Sequence, residues 1–509
     1  MPAMHRITGT TPEPLHDCAA TRALEATTAA TLAPHTLMQR AGVAVARLAQ
    51  ALAPHARMVW IACGSGNNGG DGLEAAALLQ AAGRPVCVTL LTHGRPPQDA
   101  AQSLERARQA GVRFVDAAPA LGPQDLCVDA LLGIGLNAAP RAHGPDARLA
   151  SSLAQLRASP AATLCVDVPS GLIADTGHWA PGFEGSAPGA GVRHTLALLT
   201  LHPGLFTAQG RDAAGTVWLD DLGVDASAQA PAAWLSGTPA RHARAHASHK
   251  GSFGDVAVVG GEGLAARGMG MTGAAVLAAL SALHGGAGRV LLALLDDGAT
   301  GALAAHPELM LRRFDALELD HGAVVCGCGG GQVVAKVLPR VLDQARRLVL
   351  DADALNAIAA DAPLQRQLAA RGGRADHATV LTPHPLEAAR LLASTTAAVQ
   401  ADRLAAAHAL ARRFACTVVL KGSGTIIAAP AQVARINPTG NALLATAGTG
   451  DVLAGLVGAR LAASARTDHA AMLEAAGAAC WLHGAAADHW PAGRALTASR
   501  LASTLDCGY

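Results

Sequence analysis

The residues able to do chemistry in this chain lie in short glycine-flanked stretches, the densest near the C-terminus. Asn437-Pro438-Thr439-Gly440-Asn441 is followed by Thr446-Ala447-Gly448-Thr449-Gly450-Asp451, and the apolar run 452–457 starts directly behind the carboxylate. A glycine-rich turn at a helix N-terminus aims several unpaired backbone N–H groups at one spot, where the helix dipole adds positive potential. That is a seat for phosphate. Asp451 would repel the anion, so its chemical use there is as a base that takes the proton of a hydroxyl attacking phosphorus. An aspartate that merely opens a helix in a Gly-rich loop is the bland alternative, and a lone Gly-Thr-Gly-Asp does not separate the two.

Further segments do. His249-Lys250-Gly251-Ser252-Phe253-Gly254 precedes a strand pattern and Gly260-Gly261-Glu262-Gly263. Asp351, Asp353 and Asn356 fall together at another strand end, and His384 sits between Pro383 and Pro385 at a third. Lys421-Gly422-Ser423-Gly424-Thr425 brings an ammonium and glycine-flanked backbone N–H groups to a fourth, an arrangement suited to the phosphates of a nucleotide. Each alone reads as a turn, a cap or a solvated lysine. Together, at the strand ends of one sheet, they read as a site.

The first half carries a different set. Gly64-Ser65-Gly66-Asn67-Asn68-Gly69 matches G-x-G-x-x-G behind a strand, but Leu90-Leu91-Thr92-His93-Gly94 stands where a dinucleotide fold would place its acidic residue. The polar stretch Asn67–Asp71 offers two amides and a carboxylate among glycines, which can coordinate a cation or fix a ribose or amide; a tight loop using Asn for left-handed turns is the plain alternative. Asp129 and Asp167 each end a strand pattern, where carboxylates of a parallel sheet face the ligand crevice. With Asn68 and Ser170 they form an all-oxygen set for a weakly held cation, monovalent if Asp129 is the one direct carboxylate.

These residues need elements to position them. Strand patterns at 58–62, 85–91, 126–129 and 164–167 alternate with helical ones such as 72–82. In the second half, strands are expected at 255–259, 290–294, 323–326, 348–351, 379–381 and 417–420. Alternating βα units imply α/β halves with parallel sheets, helices on both faces and ligands at the carboxyl ends of strands. The Ala-, Pro- and His-rich segment 227–248 shows no period and reads as a linker. At 509 residues the chain suits two or three domains of roughly 100–200 residues.

Composition excludes several classes. Half the residues are hydrophobic (51%) but 3% are aromatic, so Ala, Val and Leu must build the cores. A formal charge of +1, from 39 basic and 38 acidic residues, offers no field for nucleic acid. The ten cysteines are scattered, with Cys326 and Cys328 the one close pair and no second pair or histidine at zinc spacing, so reduced thiols in a cytoplasmic protein are expected. No signal peptide is read at the N-terminus, and the most apolar stretch, 274–295, is broken by His284-Gly285-Gly286-Ala287-Gly288-Arg289, so no membrane span is expected.

On Gly64–Gly72, Asp129–Leu136, Asp167–Gly177 and the upstream Leu37–Gly42, the first half resembles the YjeF N-terminal family of NAD(P)H-hydrate epimerases. The resemblance implies a Rossmann-like three-layer αβα domain with potassium at Asn68, Asp129 and Ser170. It implies substrate contacts at Asn67, Asn68, Gly69, Gly70 and Asp71, at Gly133, Ile134, Gly135, Leu136, Asn137, Ala138 and Ala139, and at Asp167, the catalytic residue. One departure is His202-Pro203-Gly204-Leu205, where the family has a lysine in place of the histidine. His202 either carries a proton near neutral pH or stands by while Asp167 works alone or with water.

The second half resembles the ADP-dependent NAD(P)H-hydrate dehydratase family, a ribokinase-like α/β fold commonly fused behind the epimerase. That resemblance implies nucleotide contacts at Lys421, Gly422, Ser423, Gly424, Thr425 and Gly450, with ADP as phosphoryl donor accompanied by magnesium. It implies Asp451 as base, in a substrate pocket shared with Ala274, Gly329 and His384. Cys326–Gly331 departs from the family's Gly-Pro-Gly-Leu-Gly type of loop. The expected division is an epimerase domain at 1–228, a linker at 229–247 and a dehydratase domain at 248–509.

Together these features predict a bifunctional, homo-oligomeric repair enzyme acting on small molecules, without nucleic-acid or membrane partners. A ribokinase-like vitamin or sugar kinase with an accessory domain is the rival reading. A non-catalytic nucleotide-binding module is a second.

Overall fold

The computed structural model describes residues 4–91, 94–136, 145–184, 190–241, 243–295 and 305–506. The chain divides into two compact units, one of Met1–Thr8 with Glu13–Ala233 and the other of Gly9–Pro12 with Trp234–Tyr509. No helix among the described residues is long and apolar enough to cross a membrane.

In the first unit the sheet runs, in spatial order, His5–Arg6, Thr216–Asp220, Arg193–Leu198, Ala162–Val166, Leu126–Ala130, Val59–Cys63, Val86–Leu90 and Arg113–Phe114. All neighbours are parallel except the first pair. The central strands Val59–Cys63 and Leu126–Ala130 are buried on both faces, as sandwiching between helices requires, and Asp129 is the one charged residue in them. Chain order reverses between Val59–Cys63 and Leu126–Ala130. The loops leaving those strands therefore part in opposite directions and leave a crevice at their carboxyl ends.

The second unit repeats the principle. Its sheet runs Met310–Leu311, Arg289–Leu294, Asp255–Gly260, Ala323–Cys326, Arg347–Leu350, Ala378–Leu381 and Thr417–Leu420, then Ile426–Ala428 and Ala434–Ile436. The strands through Thr417–Leu420 are parallel, and the last two join antiparallel. Here the reversal falls between Asp255–Gly260 and Ala323–Cys326. The core is largely Ala, Val and Leu.

With few aromatic rings to fill space, helices must approach closely. The helix Thr449–Ala463 lies against Thr272–His284, and a Cβ on Gly455 would stand 2.0 Å from the Ala278 carbonyl oxygen. A Cβ on Gly458 would reach within 2.4 Å of Val325 on the sheet.

Candidate functional sites

The first unit holds a cavity of 840 Å³ at its crevice, walled by Asn67, Asn68, Asp71, Gly133, Ile134, Gly135, Leu136 and Asp167 among others. Asn67–Asp71 is the first turn of a helix, Asn67–Ala81, and not a loop ahead of one starting at Gly72. Glycine explains the difference. A Cβ on Gly69 would lie 1.9 Å from the Gly64 carbonyl oxygen, and one on Gly72 would lie 2.6 Å from the Ala130 side chain, so only bare backbone lets the helix start this close to the strands. Gly69 and Gly70 are buried in that packing and do not line the cavity. Asn137, Ala138 and Ala139 lie outside the described residues.

Asp129 is buried, and its carboxylate accepts from the Ser170 hydroxyl at 2.6 Å and the Ser170 backbone N–H at 3.0 Å. Burial raises its pKa and these bonds oppose the rise. The Ser170 oxygen also accepts from Leu132 N–H at 2.8 Å, tying the 131–134 loop to this pair. At the same loop, Gly133 packs beside both Asn68 and Asp167. The side-chain amide of Asn68 is buried with neither its oxygen nor its nitrogen hydrogen-bonded. A buried amide oxygen without a donor, against the same loop that Ser170 holds, suits a cation that prefers oxygen.

Asp167 follows its strand with φ 68, left-handed backbone that a non-glycine residue rarely adopts, which turns its carboxylate to the cavity wall. Its Oδ2 accepts from Ile134 N–H at 3.2 Å. Burial raises its pKa, and His202 is the first influence opposing that rise. Asp71, half-buried, is likewise raised by burial and then by Asp167. Arg22 and Glu25, on the helix Cys18–Ala29, also line the cavity, and Glu25 is raised by burial and then by Asp167. No motif marks that helix, so sequence reading passed over both. His202 is fully buried and is not a wall residue.

In the second unit a tight ionic cluster surrounds the start of the helix Thr449–Ala463, whose cap is Gly448 at φ 90. The Lys421 ammonium lies 2.7 Å from Asp351 Oδ1, which the Thr382 hydroxyl also reaches at 2.7 Å. A Cβ on Gly450 would stand 3.4 Å from that ammonium, so Lys421 sits at the helix N-terminus. Burial pushes the lysine pKa down, but Asp351 and Glu387 hold it above its ordinary value. Asp451, half-buried in the helix's first turn, has its carboxyl pushed up to about 6, by burial first and the Asp351 charge second. Atoms of Cys328, Asp351 and Asp451 lie within 4.8 Å of one another.

Around this cluster, Gly329 at φ 58 lets the 326–331 loop touch the neighbouring helix, where a Cβ would meet the Met271 carbonyl oxygen at 2.4 Å and Ala274 Cβ at 2.9 Å. His384 caps the helix Pro385–Leu392, its Nδ1 accepting from Leu386 N–H at 3.1 Å, with Nε2 3.2 Å from Glu387. Glu387 is buried and its carboxyl is pushed up to about 7 by burial, with Lys421 opposing.

The turn Gly422–Thr425 rests on Arg403, buried beneath it, whose guanidinium donates to the carbonyls of Leu420 and Lys421 at 3.3 Å. A Cβ on Gly422 would meet that guanidinium at 2.8 Å. Arg403 was not legible in the sequence, nor was His483, whose Nε2 lies 2.9 Å from the Thr449 carbonyl oxygen and whose pKa burial lowers to about 4. The stretch 437–441 spends polar groups on the protein itself. Asn437 is buried and donates to the carbonyls of Thr439 and Cys480, and Gly440 N–H is taken by Asp488 at 2.8 Å.

Two family descriptions match the chain, "YjeF-related protein N-terminus" over residues 34–204 and "NAD(P)H-hydrate dehydratase" over 258–506. The chain is 36% identical over 503 residues to the bifunctional NAD(P)H-hydrate repair enzyme of Escherichia coli, covering 92% of this chain and 88% of that one. It is 45% identical over 253 residues to the ADP-dependent (S)-NAD(P)H-hydrate dehydratase of Neisseria meningitidis, 48% of this chain and 80% of that. Among solved structures, the ADP/ATP-dependent NAD(P)H-hydrate dehydratase of Bacillus subtilis, co-crystallized with ATP/Mg2+, is 29% identical, with 52% of this chain and 91% of that one aligned at a TM-score of 0.42.

Proposed function

This chain belongs to the family of bifunctional NAD(P)H-hydrate repair enzymes, and from that premise we propose how its two sites divide the work. The second unit dehydrates the S epimer of hydrated NADH or NADPH using ADP, and the first unit interconverts the R and S epimers. The observation that carries the reading is Asp451, a carboxyl pushed up to about 6, placed at a helix N-terminus beside the Lys421 ammonium.

In the dehydratase reaction the backbone N–H groups at the start of the helix 449–463 and the turn Gly422–Thr425 receive the phosphates of ADP. Asp451 takes the proton of the C6 hydroxyl as that oxygen attacks the terminal phosphorus, and AMP leaves as the bridging P–O bond breaks. Phosphate then departs from C6 with the C–O electron pair while C5 loses a proton, which restores the dihydropyridine ring. Lys421 and the helix dipole stabilise the charge on the transferring group. Ala274, Gly329 and His384 border the space left for the nicotinamide. Magnesium would accompany the phosphates. Asp351 is already committed to Lys421, and Asp353 accepts from Gly331 N–H, so neither is assigned to it.

In the first unit Asp167 exchanges the proton that epimerisation at C6 requires, working with water, since His202 does not reach the cavity wall. Asn68, Asp129 and Ser170 would hold potassium, which supplies a fixed positive charge at the substrate's phosphates. The unpartnered Asn68 amide supports that assignment.

The direct test mixes purified protein, hydrated NADH and ADP and follows the absorbance of reduced nicotinamide. Recovery of NADH with release of AMP and phosphate is expected. Accumulation of a stable phosphorylated product would instead favour the kinase reading.

Lys421→Ala should weaken ADP binding, measured by calorimetric titration, and should also lower the melting temperature. Removing the ammonium leaves Asp351 as an unpaired buried carboxylate, a loss of about 3–5 kcal/mol for a buried pair. Unchanged ADP affinity would place the nucleotide elsewhere.

A further inference from the structure

In the first unit, outside the cavity lining, three side chains from distant stretches of sequence converge. They are the Cys18 thiol at the start of the helix Cys18–Ala29, the Asp175 carboxylate in a turn, and the His202 imidazole ahead of Pro203–Leu205. Each offers one ligand atom within 4.8 Å of the others. None of them has a part in the proposed repair chemistry.

The histidine is oriented by one of its nitrogens. Its Nδ1 lies 2.9 Å from the His16 carbonyl oxygen, which can only accept, so Nδ1 carries a proton and Nε2 is the atom left for a ligand. His202 is fully buried, and that Nε2 has no hydrogen-bond partner. A buried ring nitrogen without a partner is rare in a folded protein. The carboxylate is held as well, since Cys18 backbone N–H donates to Asp175 Oδ1 at 2.8 Å. Asp17 takes no share, because its own carboxylate caps the helix at Ala20 N–H.

We propose that Cys18, Asp175 and His202 form a binding site for a divalent transition ion with the preferences of zinc. Sulfur, imidazole nitrogen and carboxylate oxygen are the donors zinc takes, and three protein ligands leave a fourth position for water. A metal-bound histidine ordinarily donates its other N–H to a carbonyl or carboxylate, as His202 does to His16. Binding exchanges the thiol's S–H bond for a sulfur–metal bond, and the released proton passes to solvent. His202, which replaces a lysine expected at this place, is then a ligand and not a proton carrier.

The test uses the full chain, stripped with a chelator and dialysed against zinc or cobalt(II). Metal content by mass spectrometry should show one more zinc per chain in the wild type than in Cys18→Ser. The cobalt protein should show a thiolate-to-metal charge-transfer band that the variant lacks. His202→Gln, which can still donate to His16, should lower zinc affinity at least 10–100-fold, about the loss seen when a ligand's own support is removed. Circular dichroism of the metal-free variants, matching wild type, separates lost ligation from misfolding. Equal zinc uptake in wild type and both variants, or a cobalt protein without the band, would show that the cluster is packing alone.

Discussion

Asp451→Asn should lower the rate of S-epimer dehydration by about 10²–10⁴-fold, the range expected when a general base is lost. ADP affinity should stay within a few-fold, because the nucleotide is held by Lys421 and backbone N–H groups. The fold should not suffer. Asn removes a half-buried carboxyl that stands near Asp351 and is pushed up to about 6. The same value fixes the pH dependence of the wild type. The reactive form is the carboxylate, so kcat/KM should be level above about pH 6 and fall about tenfold per unit below it, as the raised carboxyl takes up its proton. Stopped assays on the pure S epimer, with calorimetric titration of ADP, separate the two effects. Near-normal turnover in the variant would remove Asp451 from the mechanism.

The second large effect falls on the other unit. Asp167→Asn should abolish enzymatic conversion of the R epimer, again by about 10²–10⁴-fold, while the S epimer is dehydrated at the wild-type rate. Asparagine is well placed for this test. It is among the residues that accept left-handed backbone, and its amide oxygen can still accept from Ile134 N–H, so only the proton exchange is lost. Chromatographic resolution of the two epimers over time measures both rates in one sample. Equal loss on R and S would mean that the chemistry is not divided between Asp167 and Asp451.

Much of this organisation is legible in the sequence because it rests on local signals. Continuous apolar runs gave Ala323–Cys326 and Thr417–Leu420 their observed ends, and a carboxylate after such a run pointed to Asp129, Asp167 and Asp351. What escaped depends on contacts between distant segments. The strands Arg193–Leu198 and Thr216–Asp220 mix polar with apolar residues and became strands by pairing beside Ala162–Val166. The helix at Asn67 begins among asparagines and glycines, weak helix formers that are favoured here by close approach to the sheet. Asn437–Asn441 has the composition of a ligand loop, yet its polar groups bond to Cys480, Trp481 and Asp488 on the helix His469–Asp488. Arg403 carries no signal in the sequence, because its role comes from the 420–424 turn folding over it. The grouping of Cys18 with Asp175 and His202 has no sequence spacing to betray it.

The glycine crossing behind Asp451 bears on how this enzyme can be hardened against heat. Exchanging a helix-interior glycine for alanine is a common thermostabilising step, since it takes freedom from the unfolded chain and contributes about 0.4–1 kcal/mol where the native backbone accepts it. At Gly455 the added methyl would stand 2.0 Å from the carbonyl oxygen of Ala278, so the helix would be pushed off its neighbour and Asp451 carried with it. The most obvious engineering substitution in that helix is therefore the one that would disarm the enzyme. Laboratory evolution for heat resistance would have to find its gains at an exposed glycine outside left-handed backbone, such as Gly373, where an added methyl meets nothing closer than the Ala370 carbonyl oxygen at 3.7 Å, or in the loops.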